Sequence, residues 1–395
     1  MKNKLLIITI FLACLCNAKY NNDDTQKIQK MINSSKKGDV INGNNKTYNV
    51  TALWLKSGIH FKNFILKSIP TDIPDVSVLN IGNDLKTNIY NSSKEAQQAF
   101  IVSSSHPGIQ NITIDNVKID GSRFMQKGLD IRDGGKHGIA IKGFVSNIRI
   151  TNVQILNCAT DGIMIYRGLH TNLIDNAEKF AANNIFLENV SSSNNRRHGG
   201  SGDSINTFIC KNSSFTDNGK TVSENAKSSK GAIFNNKLYG NGWDMEGYGL
   251  GSSIQNVIFQ NTIFVKNIGS GLLFYDTVNP EEPNFIQRKN IKIIDCRIDK
   301  GEDNPSGDYA LIFTSSIKNK LKSRKLYKDI LINNTILDGK LLLRSVENIQ
   351  LTDISFNNLD TYHGLLDSVS DLRYKFIKKK GKQLFWEKYY ERNIQ

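Results

Sequence analysis

Cysteine is scarce in this chain: five in 395 residues, two of them, Cys14 and Cys16, close to the start. The other three, Cys158, Cys210 and Cys296, are an odd number set far apart. That excludes a disulfide framework and leaves them as small apolar fillers of an interior. Long apolar runs are also missing. After Leu15 no stretch is long and apolar enough to cross a bilayer, so no transmembrane segment is expected in the mature chain. No nucleotide, metal or redox motif occurs, and the sequence lacks both a recognition helix and a stacking platform for bases. No cofactor, no metal and no nucleic-acid partner is therefore expected.

What is present begins with an export signal. Lys2 and Lys4 make a short basic start, Leu5 to Leu15 is apolar, and Cys16-Asn17-Ala18 offers a cleavage site, so residues 1–18 read as a secretory signal peptide. Phe11-Leu12-Ala13-Cys14 loosely matches a lipoprotein cleavage box, and lipid anchoring at Cys14 is the second reading. A secreted or periplasmic location follows. The formal net charge is +14, two units lower once Lys2 and Lys4 are removed. Such an excess attracts polyanions over long range. Outside the cell, an acidic polysaccharide fits both charge and compartment.

A repeat dominates the rest. Asn or Asp precedes an Ile-x-Ile-like strand at Asn111, Asn147, Asn184, Asn256, Asn290, Asp329 and Asn348, with loose phasing and a shortest interval of 19 residues. Each unit continues into a second short strand, such as Gln154-Ile155-Leu156. Several end in a third, as in Gly138-Ile139-Ala140-Ile141, Gly162-Ile163-Met164-Ile165 and Gly271-Leu272-Leu273-Phe274. Period-two alternation sends Ile, Val, Leu and Cys inward. One such coil cannot bury its apolar side alone, so coils must stack. The predicted fold is all-β: a single right-handed parallel β-helix over residues 61–370, with Asn ladders along its turns. Solenoid ends need covers. Residues 19–60 supply a capping helix and first coil, and the basic, aromatic segment 371–395 supplies a C-terminal cap or tail.

The N-terminal motifs carry a family resemblance. Asp23-Asp24-Thr25-Gln26-Lys27-Ile28-Gln29, then Gly38-Asp39-Val40 and Tyr48-Asn49-Val50, resemble the start of exported β-helices of the pectate lyase and polygalacturonase superfamily. The resemblance implies that architecture over nearly the whole mature chain and a polysaccharide-acting function. The polygalacturonase set of Asn-Thr-Asp, Asp-Asp and Gly-His-Gly is not intact; Asp161-Gly162 and His198-Gly199 are fragments of it. Asn195-Arg196-Arg197-x-Gly followed by Gly-x-Asp-x-Glu is similar to a pattern of bacterial β-helix proteins with presumed carbohydrate activity. His198 and Gly200-Ser201 depart from the apolar strand usual there.

Fold does not fix function, so the chemistry is argued from a site. In Gly242-Trp243-Asp244-Met245-Glu246 the bulky Trp243 and Met245 take the inward positions, placing Asp244 and Glu246 together on the outer side. Residues two apart on a strand are about 6.5 to 7 Å apart. An inverting glycosidase needs its acid and base about 6.5 to 9.5 Å apart to admit a water. The catalytic candidates are Asp244, Glu246, His198 and Asp203; which carboxyl is acid and which base stays open. If the third strands stack, Tyr166, Arg167, Arg196, Arg197, Tyr248 and Tyr275 line up beside them. Arginine would pair with carboxylate or sulfate groups and tyrosine would pack on sugar faces.

Two other readings use the same residues. In a lyase, Arg196, Arg197, His198 or Tyr248 removes the proton beside a uronate carboxylate whose charge Ca²⁺ or Arg neutralises. Calcium would then be a cofactor. A non-catalytic polysaccharide-binding surface protein needs no chemistry at all.

Overall fold

The computed structural model describes residues 23–70, 77–82, 108–125, 136–143, 145–166, 181–219, 240–247, 252–281, 285–302, 308–315, 325–357, 364–375, 377–379 and 382–384. The signal segment with Cys14, and the site candidates Arg167 and Tyr248, lie outside them.

Asparagine sets the shape of each coil. Left-handed backbone costs an L-residue roughly 1 to 2 kcal/mol, and Asn tolerates it best among residues with a side chain. Every repeat residue picked out by sequence takes that conformation, with φ between 51° at Asn348 and 59° at Asn111. The side chains then join coil to coil. Asn147 Nδ2 donates to Asn111 Oδ1 at 3.1 Å, Asn184 to Asn147 at 2.7 Å, and Asn290 to Asn256 at 2.8 Å. The wide interval between Asn184 and Asn256 holds one further coil, in which Thr207 takes the positive φ and Asn206 accepts from Asn256. A second ladder marks the next corner, where Asn189 donates to Asn152 at 3.1 Å and Asn261 to Asn212 at 2.8 Å.

Among the described residues every strand pairing but one is parallel. First strands stack in register, so that Ile112, Ile148, Ile185, Phe208, Val257, Ile291 and Ile330 form one buried column. Burying each such side chain contributes about 1.5 to 3 kcal/mol, and the column is continuous only because coils repeat. Third strands stack likewise: Ile139–Lys142, Ile163–Tyr166, Gly200–Gly202, Trp243–Gly247 and Leu272–Asp276 pair in that order. The architecture is a parallel β-helix. Cys158, Cys210 and Cys296 are free and buried, and burial pushes the Cys210 and Cys296 thiols up to about 12.

The N-terminal helix, Thr25–Ser34, buries Ile28 and Ile32 against the first coils. It also closes the open edge. Gln29 Nε2 donates to the Trp54 carbonyl at 3.1 Å while its Oε1 accepts the Trp54 N–H at 2.9 Å, so one amide side chain stands in for a missing strand. Thr25 Oγ1 accepts the Thr51 N–H in the same way. Asp24 holds the N-cap position without capping through its side chain; its carboxylate accepts the Asn49 N–H at 3.2 Å instead. At the far end Gly364–Lys375 pairs in parallel with Lys340–Thr352, and Leu372 stands beside Ile349. Coiling thus runs beyond residue 370, and the chain then turns back where Ile377–Lys379 pairs antiparallel with Lys382–Leu384.

Candidate active site

The site strand is Trp243–Gly247, and its alternation is as the sequence predicts. Trp243 and Met245 are fully buried in the core, where the indole packs at 4.9 to 5.7 Å from the rings of Phe208, Phe215 and Phe259. Room for the indole comes from Gly200 on the preceding coil: a Cβ there would lie 2.2 Å from Trp243 Cε3. This explains why Gly200 replaces the apolar residue usual at that place. Asp244 and Glu246 take the opposite side, but they differ in exposure. Glu246 is partly exposed, whereas Asp244 is only 3% exposed. The expectation that both acids face solvent together is corrected for Asp244.

Hydrogen bonds make the two oxygens of Asp244 unequal. Asn241 Nδ2 donates to Oδ2 at 3.1 Å, and His198 Nε2 stands 3.2 Å from that same oxygen. Oδ1 is buried and has no hydrogen-bond partner. Burial, with the nearby charge of Glu246, raises the Asp244 carboxyl well above the usual range against the pull of Arg197 and Asn241. A protonated carboxyl needs one oxygen to carry the proton, and Oδ1 is the one left for it.

His198 is not a base here. Its Nδ1 accepts the Asn241 N–H at 3.0 Å, which leaves the ring proton on Nε2, facing Asp244. Burial pushes its pKa down to about 3, so the ring is neutral and its contact with Asp244 is no ion pair. His198 belongs to a column at the entrance of the third strands. His137 Nδ1 accepts the Asp161 N–H at 3.2 Å, and Asp161 Oδ1 accepts the His198 N–H at 3.1 Å.

Asp161 was not among the sequence candidates, yet it ties the site together. Arg197 donates to it twice, Nε to Oδ1 at 2.7 Å and Nη2 to Oδ2 at 2.6 Å, and the Ser201 hydroxyl donates to Oδ2 at 2.7 Å. Burial disfavours its charge, but the Arg197 cation and these hydrogen bonds outweigh that and hold the carboxyl well below the usual range. Arg197 is raised in turn; burial opposes its charge, while Asp161 first, then Glu246 and Asp244, favour it. The signal was legible. A polar residue precedes glycine at His137, Asp161, His198, Asn241 and Ser270, before each third strand.

Other candidates divide by position. Tyr166, Glu246 and Tyr275 are partly exposed and share an outer row. Asp203, 5% exposed, follows Gly202, the partner of Met245, and so belongs beside Glu246. Arg196, expected in the groove, is buried at 2% exposure, and its neighbour Arg197 is the guanidinium at the site. Asp276 is also fully buried and pairs with Arg288. A shallow trough of about 550 Å³ lies elsewhere on the solenoid, bordered by Glu188, Lys211, Asn212 and Asn261, and touches none of these groups. No group of three or more His, Cys, Asp or Glu among the described residues has the arrangement of a metal site.

Stacked parallel coils make the fold a parallel β-helix, with an acid and two tyrosines in an outward row. The pre-mature bacteriophage phi29 gene product 12 is similar in structure, with a TM-score of 0.53 at 14% identity over 96% of this chain, which spans 54% of that one. A Family 28 exopolygalacturonase of Yersinia enterocolitica gives a TM-score of 0.44 at 14% identity, covering 89% of this chain and 75% of the enzyme. A galactose-4-sulfate-3,6-anhydro-galactose-2-sulfate galactohydrolase gives 0.48 at 12% identity, covering 93% and 89%. At these identities the likeness is one of fold. No protein-family model and no curated protein sequence matches the chain.

Proposed function

We propose that the chain is an exported glycoside hydrolase that cleaves an acidic polysaccharide, with Asp244 as general acid and Glu246 as general base. The observation that carries this reading is the asymmetry of Asp244: Oδ2 is engaged by Asn241 and His198 while Oδ1 is left to hold a proton, in a carboxyl whose burial favours the protonated form. Glu246, two residues along the same side, is more exposed and carries the charge that raises Asp244. Environments that push two carboxyls apart in this way assign acid and base roles.

The reaction balances as a direct displacement. Asp244, whose buried Oδ1 must turn to the surface to meet the substrate, gives its proton to the glycosidic oxygen as the bond from the anomeric carbon to that oxygen breaks. Water forms the new bond to that carbon and yields a proton to Glu246. One water is consumed, and a proton returns from Glu246 to Asp244 through solvent. The strand spacing leaves room for that water. Arg197, whose side chain is 24% exposed, offers its remaining N–H groups to an anionic substituent, and Tyr166 and Tyr275 flank the acids for sugar faces.

The test uses the purified mature chain and a panel of acidic polysaccharides, reading reducing ends together with absorbance of unsaturated uronate. Reducing ends without absorbance support hydrolysis. Both signals together indicate elimination, and neither across the panel favours a binding protein. Asp244→Asn and Glu246→Gln should each lower kcat by about 10²- to 10⁴-fold with folding retained; near-normal rates in both remove these residues from the mechanism.

A further inference from the structure

We propose that Asp161 is the positioning residue of this site: a buried carboxylate one coil before His198 that holds Arg197, Ser201 and the His198 backbone where they act on the two acids. The inference rests on the reading of Asp244 and Glu246 as acid and base. Its observation is separate, because Asp161 touches neither of them.

Four hydrogen bonds converge on this carboxylate, which is fully buried. The groups they fix are neighbours of Asp244 by contact, by strand register or by charge. The His198 N–H bond sets the height of a ring whose Nε2 reaches Asp244. Ser201 is the residue paired with Asp244 across the two strands. The twofold clamp on Arg197 fixes a planar cation that lacks the freedom to swing away, and this cation favours ionisation of both acids. Geometry of this kind belongs to arginine, since a lysine ammonium cannot span both oxygens. Asp161 also acts directly, as a negative charge that favours the protonated form of Asp244.

The groups that face Asp244 are Glu246 on its own strand; Arg197, His198 and Asp203 on the preceding coil, with Asp161 behind them; and Tyr275 and Tyr327 on the side of the following coils. Among these, Asp161 alone is hydrogen-bonded to both Arg197 and His198. Replacing it by Asn removes an anion that raises Asp244 and lets the Arg197 cation that lowers it swing away to water. The Arg197 effect is the larger of the two, so the Asp244 titration moves upward.

The experiment compares the wild-type chain with Asp161→Asn in two ways. Titration of Asp244, followed by carbon NMR of labelled aspartate carboxyls without substrate, should rise further above the ordinary range in the variant. On a polysaccharide that is hydrolysed, kcat should fall by on the order of 10²-fold with little change in KM, and the basic limb of the pH profile should move to higher pH. A purely structural role would lower the amount of folded protein and leave the limb in place. If Asp161→Asn does not give a cooperative melt, Arg197→Gln replaces it; loss of that cation should move the Asp244 titration upward. An Asp244 that stays in place or falls in the folded variant overturns the proposal. An Asp244 that rises in a protein without hydrolytic turnover sustains the positioning role and overturns the hydrolase instead.

Discussion

Two buried aspartate–arginine pairs adjoin the third strands, and their carboxyls shift in opposite directions. Asp161 receives four hydrogen bonds, and its arginine keeps 24% of its side chain exposed. Its carboxyl is held low. Asp276 and Arg288 stand 2.6 Å apart with neither side chain exposed, yet Arg288 Nε and Nη2 and Asp276 Oδ2 lack an aligned hydrogen bond. Burial raises the Asp276 carboxyl in spite of the arginine. Proximity of opposite charges is thus common to both. Asp276 also accepts the Val278 N–H at 2.8 Å, but at Asp276 burial outweighs the arginine and the hydrogen bonds, whereas at Asp161 the arginine and the hydrogen bonds outweigh burial.

The sharpest way to break this comparison is to remove one partner of the closed pair. Asp276→Asn leaves a fully buried guanidinium without a counter-charge, and should cost about 3 to 5 kcal/mol in denaturant unfolding. Gly247 has no side chain because a Cβ there would lie 2.2 Å from Asp276 Oδ2, so the cavity cannot rearrange cheaply. Replacing both partners together, as Asp276→Leu with Arg288→Met, should recover that loss or exceed it. If the double variant is as unstable as the single one, the pair is better satisfied than its geometry indicates.

The open pair should respond more mildly. In Asp161→Asn the freed Arg197 can turn toward water, so the stability loss is that of a few hydrogen bonds, about 1 to 3 kcal/mol in the same measurement. Equal losses at Asp161 and Asp276 would mean that exposure of the arginine does not separate the two.

These pairs also mark where the sequence stops being informative. The coils were legible because left-handed turns demand asparagine at fixed places, and the ladder from Asn111 to Asn348 follows that demand. The coil at Thr207 escaped because a β-branched residue took the same backbone, and only Asn206 kept the amide contact. Alternation placed Trp243 and Met245 inward correctly, since a strand has period two. It has no force in a turn. Arg196 and Arg197 are adjacent in a non-strand segment, so which one reached the site was decided by Asp161, 36 residues before Arg197. The burial of Asp244 likewise depends on neighbours above and below it in the stack, which no single coil records.

Asp244 offers the smallest effect and the most direct comparison, as a buried aspartate without an arginine clamp of its own. Its folded-state pKa is raised, so its contribution to stability is complete below the ordinary carboxylate value of 3.8 and is lost as pH rises through the folded value. Asp161 has the opposite sign: its contribution is present above that ordinary value and is lost as pH falls through its lower folded value. Near neutral pH the fold therefore carries Asp244 at a cost and Asp161 at a gain. Asp244→Asn keeps the shape and removes the cost, so it should stabilise the protein by about 0.5 to 2 kcal/mol at neutral pH while abolishing turnover. The gain should vanish in acid, below the ordinary carboxylate range, where wild-type Asp244 is protonated in both folded and unfolded chains. Unfolding midpoints for the two proteins that differ in acid as much as at neutral pH would mean that the stabilisation is not electrostatic, and that Asp244 is no poised acid.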